Sequence, residues 1–136
     1  QFAKDGIKTV YPGLKSHPSH TVFTSMMNKK YGYGGMLTID VGSTENANKL
    51  MEMMQDNNLG YLAVSLGFYK TLFSAPGSST SSEIPDSERS EMGLSNGLIR
   101  FSVGLDADIE RTYNKIKNCL ISLQLLEKKK QDVVML

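Results

Sequence analysis

The chain has a single cysteine, Cys119, among its 136 residues. One thiol excludes an internal disulfide framework and a thiolate zinc cluster. It reads as the reduced thiol of a cytosolic, cytoplasmic protein. Long apolar runs are missing as well. None approaches the roughly 20 residues that cross a bilayer, so no membrane partner is expected. Charge of one sign is also lacking: Lys and Arg number 15, Asp and Glu 14, for a net charge of +1. Such a balance sets up no global field to gather nucleic acid or an acidic membrane surface. The sequence shows no signal peptide. It starts at Gln1 without an initiator methionine, which is expected of a fragment or a processed product.

What is present fits one domain with one core. Hydrophobic residues make up 40% of the chain, enough for a globular unit of this length. Residues 7–11 form a short apolar run closed by the turn signal Pro12-Gly13. Residues 17–30 are weakly amphipathic, with Phe23, Met26 and Met27 at helical spacing. Residues 36–41 alternate, with Leu37, Ile39 and Val41 on one side, as a half-buried strand does. Gly42-Ser43-Thr44 precedes a helix that runs to about Asp56, its apolar stripe being Ala47, Leu50, Met51 and Met54. Residues 61–66 read as a strand stopped at Gly67, and residues 74–85, "SAPGSSTSSEIP", as a surface loop. A short helix is expected next, with Pro85 in its first turn and Asp86 and Glu88 favourable near its N-terminus.

The strand at 98–103 and the helix at 106–127 complete the pattern. Ile109, Tyr113, Ile116, Leu120 and Leu123 recur at steps of four and three. Asp106, Asp108 and Glu110 suit the positive end of that helix dipole, and Lys128, Lys129 and Lys130 the negative end. The last residues are expected to fray. Short strands alternating with helices predict an α/β (α+β) domain. Its small sheet, mostly antiparallel or mixed, is covered on one side by helices.

One residue breaks the strand pattern. In "LIRFSVGLDADIE", residues 98–110, Arg100 sits inside an otherwise apolar run. Side chains alternate along a strand, so Ile99, Phe101 and Val103 take the core face. Arg100 and Ser102 take the other, which is expected to be uncovered. Arginine is rarely buried without a partner. Arg100 is either a surface residue paired with Asp40 or another neighbour, or a planar fork for a carboxylate or phosphate.

Two other patterns carry less. "KYGYGG" precedes a strand rather than opening a helix, so it lacks the context of a phosphate loop. His17 and His20 have no third ligand nearby, and no metal site is expected.

Several segments in order resemble the trans-sulfuration (Cys/Met metabolism) family of pyridoxal-phosphate (PLP) enzymes. That family includes methionine gamma-lyase, cystathionine lyases and synthases, and O-acetylhomoserine sulfhydrylase. "VYPGLKSHPSH" at 10–20 is similar to its Tyr/His-Pro-Gly-Leu…Ser-His-Pro segment. "GGMLTIDVG" at 34–42 is similar to its Gly-Gly-Met strand, "AVSLG" at 63–67 to its Ser-Leu-Gly signature, and "LIRFSVGLDADIE" to its closing motif. The resemblance covers nearly the whole chain and only the family's C-terminal domain. It therefore implies that residues 1–136 are the substrate-binding domain of a fold-type I PLP enzyme. The large domain that carries the Schiff-base lysine lies elsewhere. No lysine here stands in the family's Ser-x-Thr-Lys context, so no catalytic or cofactor-binding residue is expected in this chain and PLP is not expected to bind it alone.

The same resemblance implies a role for four residues. Arg100 matches the clamp for the α-carboxylate of a sulfur amino-acid substrate. Ser65 lines the same site, and Thr80 matches the threonine of a Thr-His loop motif. Val64 stands where many cystathionine-handling members carry glutamate, which favours a substrate arm without a second amino group. The chain departs from the family at Ser81, in place of the histidine of Thr-His, and at Phe68-Tyr69-Lys70, in place of small or acidic residues. The implied activity is α,γ-elimination of the methionine gamma-lyase kind, in a homotetramer. The alternatives are γ-replacement of the O-acetylhomoserine sulfhydrylase kind, or a stand-alone domain with a structural or interaction role.

Overall fold

A computed structural model describes residues 1–79 and 81–127. These contain five strands: β1 (Lys8–Val10), β2 (Met36–Asp40), β3 (Tyr61–Leu62), β4 (Leu72–Ser74) and β5 (Leu98–Ser102). The α-helices are α1 (His20–Met26), α2 (Thr44–Asp56), α3 (Asp86–Glu91) and α4 (Ile109–Ser122), with a 3-10 turn at Pro76–Ser78. The strands form one sheet in the order β1-β2-β5-β4-β3. Every neighbouring pair is antiparallel except β3 with β4, so the sheet is mixed.

Both long helices pack on one face of this sheet. Ile39, Phe73, Ile99 and Phe101 point into a core shared with Leu50 and Met54 of α2 and with Ile116 and Leu120 of α4. The stripe expected on α2 is the one observed: Ala47, Leu50, Met51 and Met54 are all buried. Ser43 caps α2 by accepting the Asn46 N–H, which satisfies one of the donors left open at a helix start. Asn58, at φ 56°, and Gly60, at φ 149°, then turn the chain toward β3. The close approach of Thr71 O to Gly60 leaves no room for a Cβ there.

Four elements differ from the sequence-based expectation. The helix expected over 17–30 is confined to His20–Met26. Pro18 precedes it, and Met27 turns to extended backbone and ends it. The strand expected over 61–66 stops at Leu62 and leaves the sheet. The sequence pattern carries no signal for β4. Its Leu72, Phe73 and Ser74 are buried on both sides, so three residues carry no alternation to read.

The last helix begins later and ends earlier than 106–127. Asp106 accepts Asp108 N–H and Thr112 Oγ1–H ahead of it, and Asp108 caps it by accepting Arg111 N–H. At its end Gln124 takes φ 58°, and Leu125 N–H turns back to Leu120 O. That reversal lays Leu123, Leu125 and Leu126 against the core, a gain that a straight helix would forgo. Lys128, Lys129 and Lys130 lie outside the described residues.

Candidate functional site

The face of the sheet opposite α2 and α4 is not open, contrary to the expectation for Arg100. Leu72 and Ser74 of β4 and Leu98 and Ser102 of β5 share that face and are buried. What covers them is chain rather than helix. After Leu62, residues 63–70 cross over β5 as a strap. Ala63 N–H still bonds Phe73 O at 3.0 Å, and at the far end Leu105 N–H bonds Tyr69 O at 2.8 Å. Gly104 lies so close to the backbone of residues 69–71 that a Cβ could not fit. Its N–H donates to Thr71 Oγ1 at 3.0 Å.

Arg100 lies in the middle of the sheet, opposite Thr38 of β2 on one side and Ser74 of β4 on the other. It is half-buried under the strap. Nη2 donates to Val64 O at 2.9 Å and to Ser65 O at 3.2 Å. Nε is buried and has no hydrogen-bond partner among the described residues. Asp40, the partner that a plain surface arginine would use, is engaged instead by Lys8 across the β1–β2 pair at 3.1 Å. The guanidinium is therefore oriented by backbone carbonyls and neutralised by no carboxylate among these contacts, which suits the capture of an anion.

Three of the four residues singled out in the sequence thus meet at one place: Arg100, with the carbonyls of Val64 and Ser65. Val64 is 56% exposed, and Ser65 is exposed too. Thr80 lies outside the described residues. Ser81, half-buried, follows the 3-10 turn and donates its N–H to Pro76 O. Ser74 and Ser102, the buried hydroxyl residues that share the Arg100 face, received no role from the sequence. The i, i+2 alternation along β5 marked the position of Ser102, but alternation does not say what a hydroxyl bonds.

The other motifs resolve into structural contacts. His17 Nδ1 accepts Ser19 N–H at 3.1 Å. His20 Nδ1 lies 2.7 Å from Pro12 O and its ring stacks on Tyr33. Among the described residues no group of three or more His, Cys, Asp or Glu could hold a metal ion, and no helix is long and apolar enough to cross a membrane. "KYGYGG" is a turn with Gly32 and Gly34 at positive φ, ahead of β2. A cavity of about 430 Å³ opens beside α4, lined by Phe2, Leu37, Phe101 and Tyr113. It is on the helix-covered face, away from Arg100.

The comparisons with known proteins decide the family. A model of the Cys/Met metabolism PLP-dependent enzymes matches residues 3–120. The chain belongs to that family. Methionine gamma-lyase of Arabidopsis thaliana is 45% identical over 119 residues, which are 87% of this chain and 27% of that protein. Cystathionine beta-lyase of Lactococcus lactis subsp. cremoris is 38% identical over 113 residues, 83% of this chain and 28% of that protein.

Among solved structures, a Campylobacter jejuni protein described as an O-acetylhomoserine (thiol)-lyase superposes with a TM-score of 0.72 at 28% identity. The match covers 85% of this chain and 26% of that one, which carries a pyridoxyl-lysine phosphate group. The chain thus spans about a quarter of the length of the relatives it matches.

The family is PLP-dependent, but the described residues do not make a cradle for the cofactor. A phosphate needs open backbone N–H groups or a cationic pocket. Here the starts of α2 and α4 are closed by Ser43 and by Asp108, and the second of these is an anion itself. Neither long helix thus offers an open start to the cofactor phosphate.

Proposed function

We propose that residues 1–136 are the C-terminal, substrate-binding part of a PLP-dependent trans-sulfuration enzyme, and that Arg100 binds the α-carboxylate of a sulfur amino acid. The observation that carries this reading is the Arg100 guanidinium, held by Val64 O and Ser65 O through Nη2. Nη1 makes no hydrogen bond among the described residues. A carboxylate arriving there gains a charge-assisted contact on a rigid strand and is fixed in orientation before any bond breaks. PLP, bound by the remainder of a longer protein, would supply the electron sink. This chain would place the substrate against it. Ser65 lines the same approach, and Val64 faces the distal arm with an apolar surface.

The reaction favoured is α,γ-elimination of methionine, because the 45% identity is to a methionine gamma-lyase and Val64 offers no carboxylate to a distal ammonium. The likeness to an O-acetylhomoserine (thiol)-lyase supports γ-replacement as a second reading. A homotetrameric, cytoplasmic enzyme is the setting proposed for either. By itself the 136-residue chain is proposed to be inert, and a stand-alone structural role is what remains if no longer protein exists.

The test is direct. The longer protein carrying this chain is purified with PLP and assayed for release of thiol, ammonia and 2-oxo acid from L-methionine. No release from methionine or from any other sulfur amino acid would overturn the reading. In parallel, the 136-residue chain is incubated with PLP and borohydride. Labelling of one specific lysine, with turnover, would show that the chain holds the cofactor after all.

A further inference from the structure

We propose that Ser102 is a positioning residue for the carboxylate site: its hydroxyl holds the strap on β5 so that the strap can aim Arg100. The proposal rests on the reading of Arg100 given above. Ser102 lies two residues along β5 from Arg100, on the same face, and is 6% exposed. A buried hydroxyl needs a partner, and Ser102 Oγ accepts Gly67 N–H at 3.1 Å. Gly67 has φ 69°, a turn that presents its N–H to β5 and that other residues adopt at a cost.

Little else holds this part of the chain. Among the described residues, every hydrogen bond from the backbone of residues 64–67 ends on the side chain of Arg100 or of Ser102. Apolar burial does not fasten it either, because Val64 and Leu66 are both more than half exposed. Arg100 and Ser102 thus play different parts. The arginine bonds the strap and must also meet the substrate. The serine only bonds the strap. Without the Ser102 hydroxyl, the carbonyls of Val64 and Ser65 would be tethered to β5 by the group they orient. The guanidinium would then sample more directions, and substrate capture would lose preorganisation.

The experiment uses the PLP-loaded full-length enzyme that carries this chain, with L-methionine as substrate. Ser102→Ala is expected to raise KM about five- to tenfold, the worth of one hydrogen bond. The kcat value should stay within about twofold of the parent, and the cofactor absorbance should not change. Ser102→Thr keeps the hydroxyl and should restore KM. Ser102→Cys keeps the volume with a poor acceptor and should behave like alanine. An unchanged KM in Ser102→Ala, wild-type behaviour of Ser102→Cys, or loss of cofactor absorbance would each overturn the proposal. Arg100→Ala separates the two levels. If it is impaired while Ser102→Ala binds normally, only the positioning role fails. If Arg100→Ala is fully active, the carboxylate reading fails and the Ser102 role falls with it.

Discussion

Arg100 reaches across 36 residues of sequence to Val64, with Nη2 2.9 Å from the carbonyl oxygen. That contact makes the arginine part of the fold as well as a candidate ligand for substrate. Arg100→Ala strands two carbonyls that currently accept from it, so thermal or urea melts should show a loss of about 1 kcal/mol. In the full-length enzyme kcat/KM for α-amino acids should fall about thirty- to a thousandfold, as the lost charge-assisted contact predicts. Lysine should restore it only in part, since a point charge cannot hold the carbonyls and a carboxylate in one plane. Full activity in the alanine variant would mean that the carboxylate is held elsewhere.

The exposure of Val64 sets up a specificity test. Its backbone carbonyl serves Arg100 while the residue is 56% exposed, so the side chain can be changed without removing the carbonyl. Val64→Glu should move kcat/KM in favour of cystathionine over methionine. A carboxylate at that place gains a partner in a distal ammonium and has none in a thioether. The ratio of the two kcat/KM values is the readout, and an unchanged ratio would show that Val64 does not face the distal arm.

The core was legible in the sequence, and the surround of Arg100 was only half so. The stripe on α2 and the alternation in β2 and β5 are local periodicities, and burial follows them directly: Leu50, Ile39, Ile99 and Phe101 are all among the buried core. β4 was hidden because a three-residue strand buried on both faces has no period. The strap was hidden for a related reason. Residues 63–66 have strand composition, yet Val64, Ser65 and Gly67 bond the side chains of Arg100 and Ser102 instead of a neighbouring strand. Propensity sees neighbours in sequence, and tertiary bonds decide here. The same strap turned the expected open face into a covered one. The early end of α4 belongs with these, since it depends on where Leu125 and Leu126 find apolar company.

Cys119 offers a check on the core that needs no enzyme assay. It lies on α4 beside Leu120, buried, and burial pushes its thiol above the ordinary value. The thiolate is the reactive form, so both access and ionisation are suppressed in the folded chain. Alkylation by iodoacetamide at neutral pH should be slow in the native protein. It should rise in step with unfolding as urea is added, following the same midpoint as circular dichroism. Fast labelling without denaturant would place the C-terminal half of α4 outside the core.

Asp40 provides the acid limb of stability. It stands opposite Lys8 in the β1–β2 register and lies 3.1 Å from its ammonium. Burial alone would raise the carboxyl. The Ser95 hydroxyl, the Gly42 N–H and Lys8 outweigh burial and hold it below its ordinary value of 3.8. A carboxyl whose folded pKa is lowered favours the fold in its ionised form. That contribution is complete above the ordinary value and is lost as pH falls through the lowered one. Asp40→Asn should therefore be less stable than the parent from about pH 7 down to about pH 5, with a constant difference. The difference should shrink below about pH 4, where the parent loses the same advantage by protonation. Urea melts of both proteins at about pH 7, 5 and 3 supply the comparison. A gap that persists undiminished at the lowest pH would assign the loss to the amide's altered hydrogen bonding with Ser95 and Gly42 rather than to the charge.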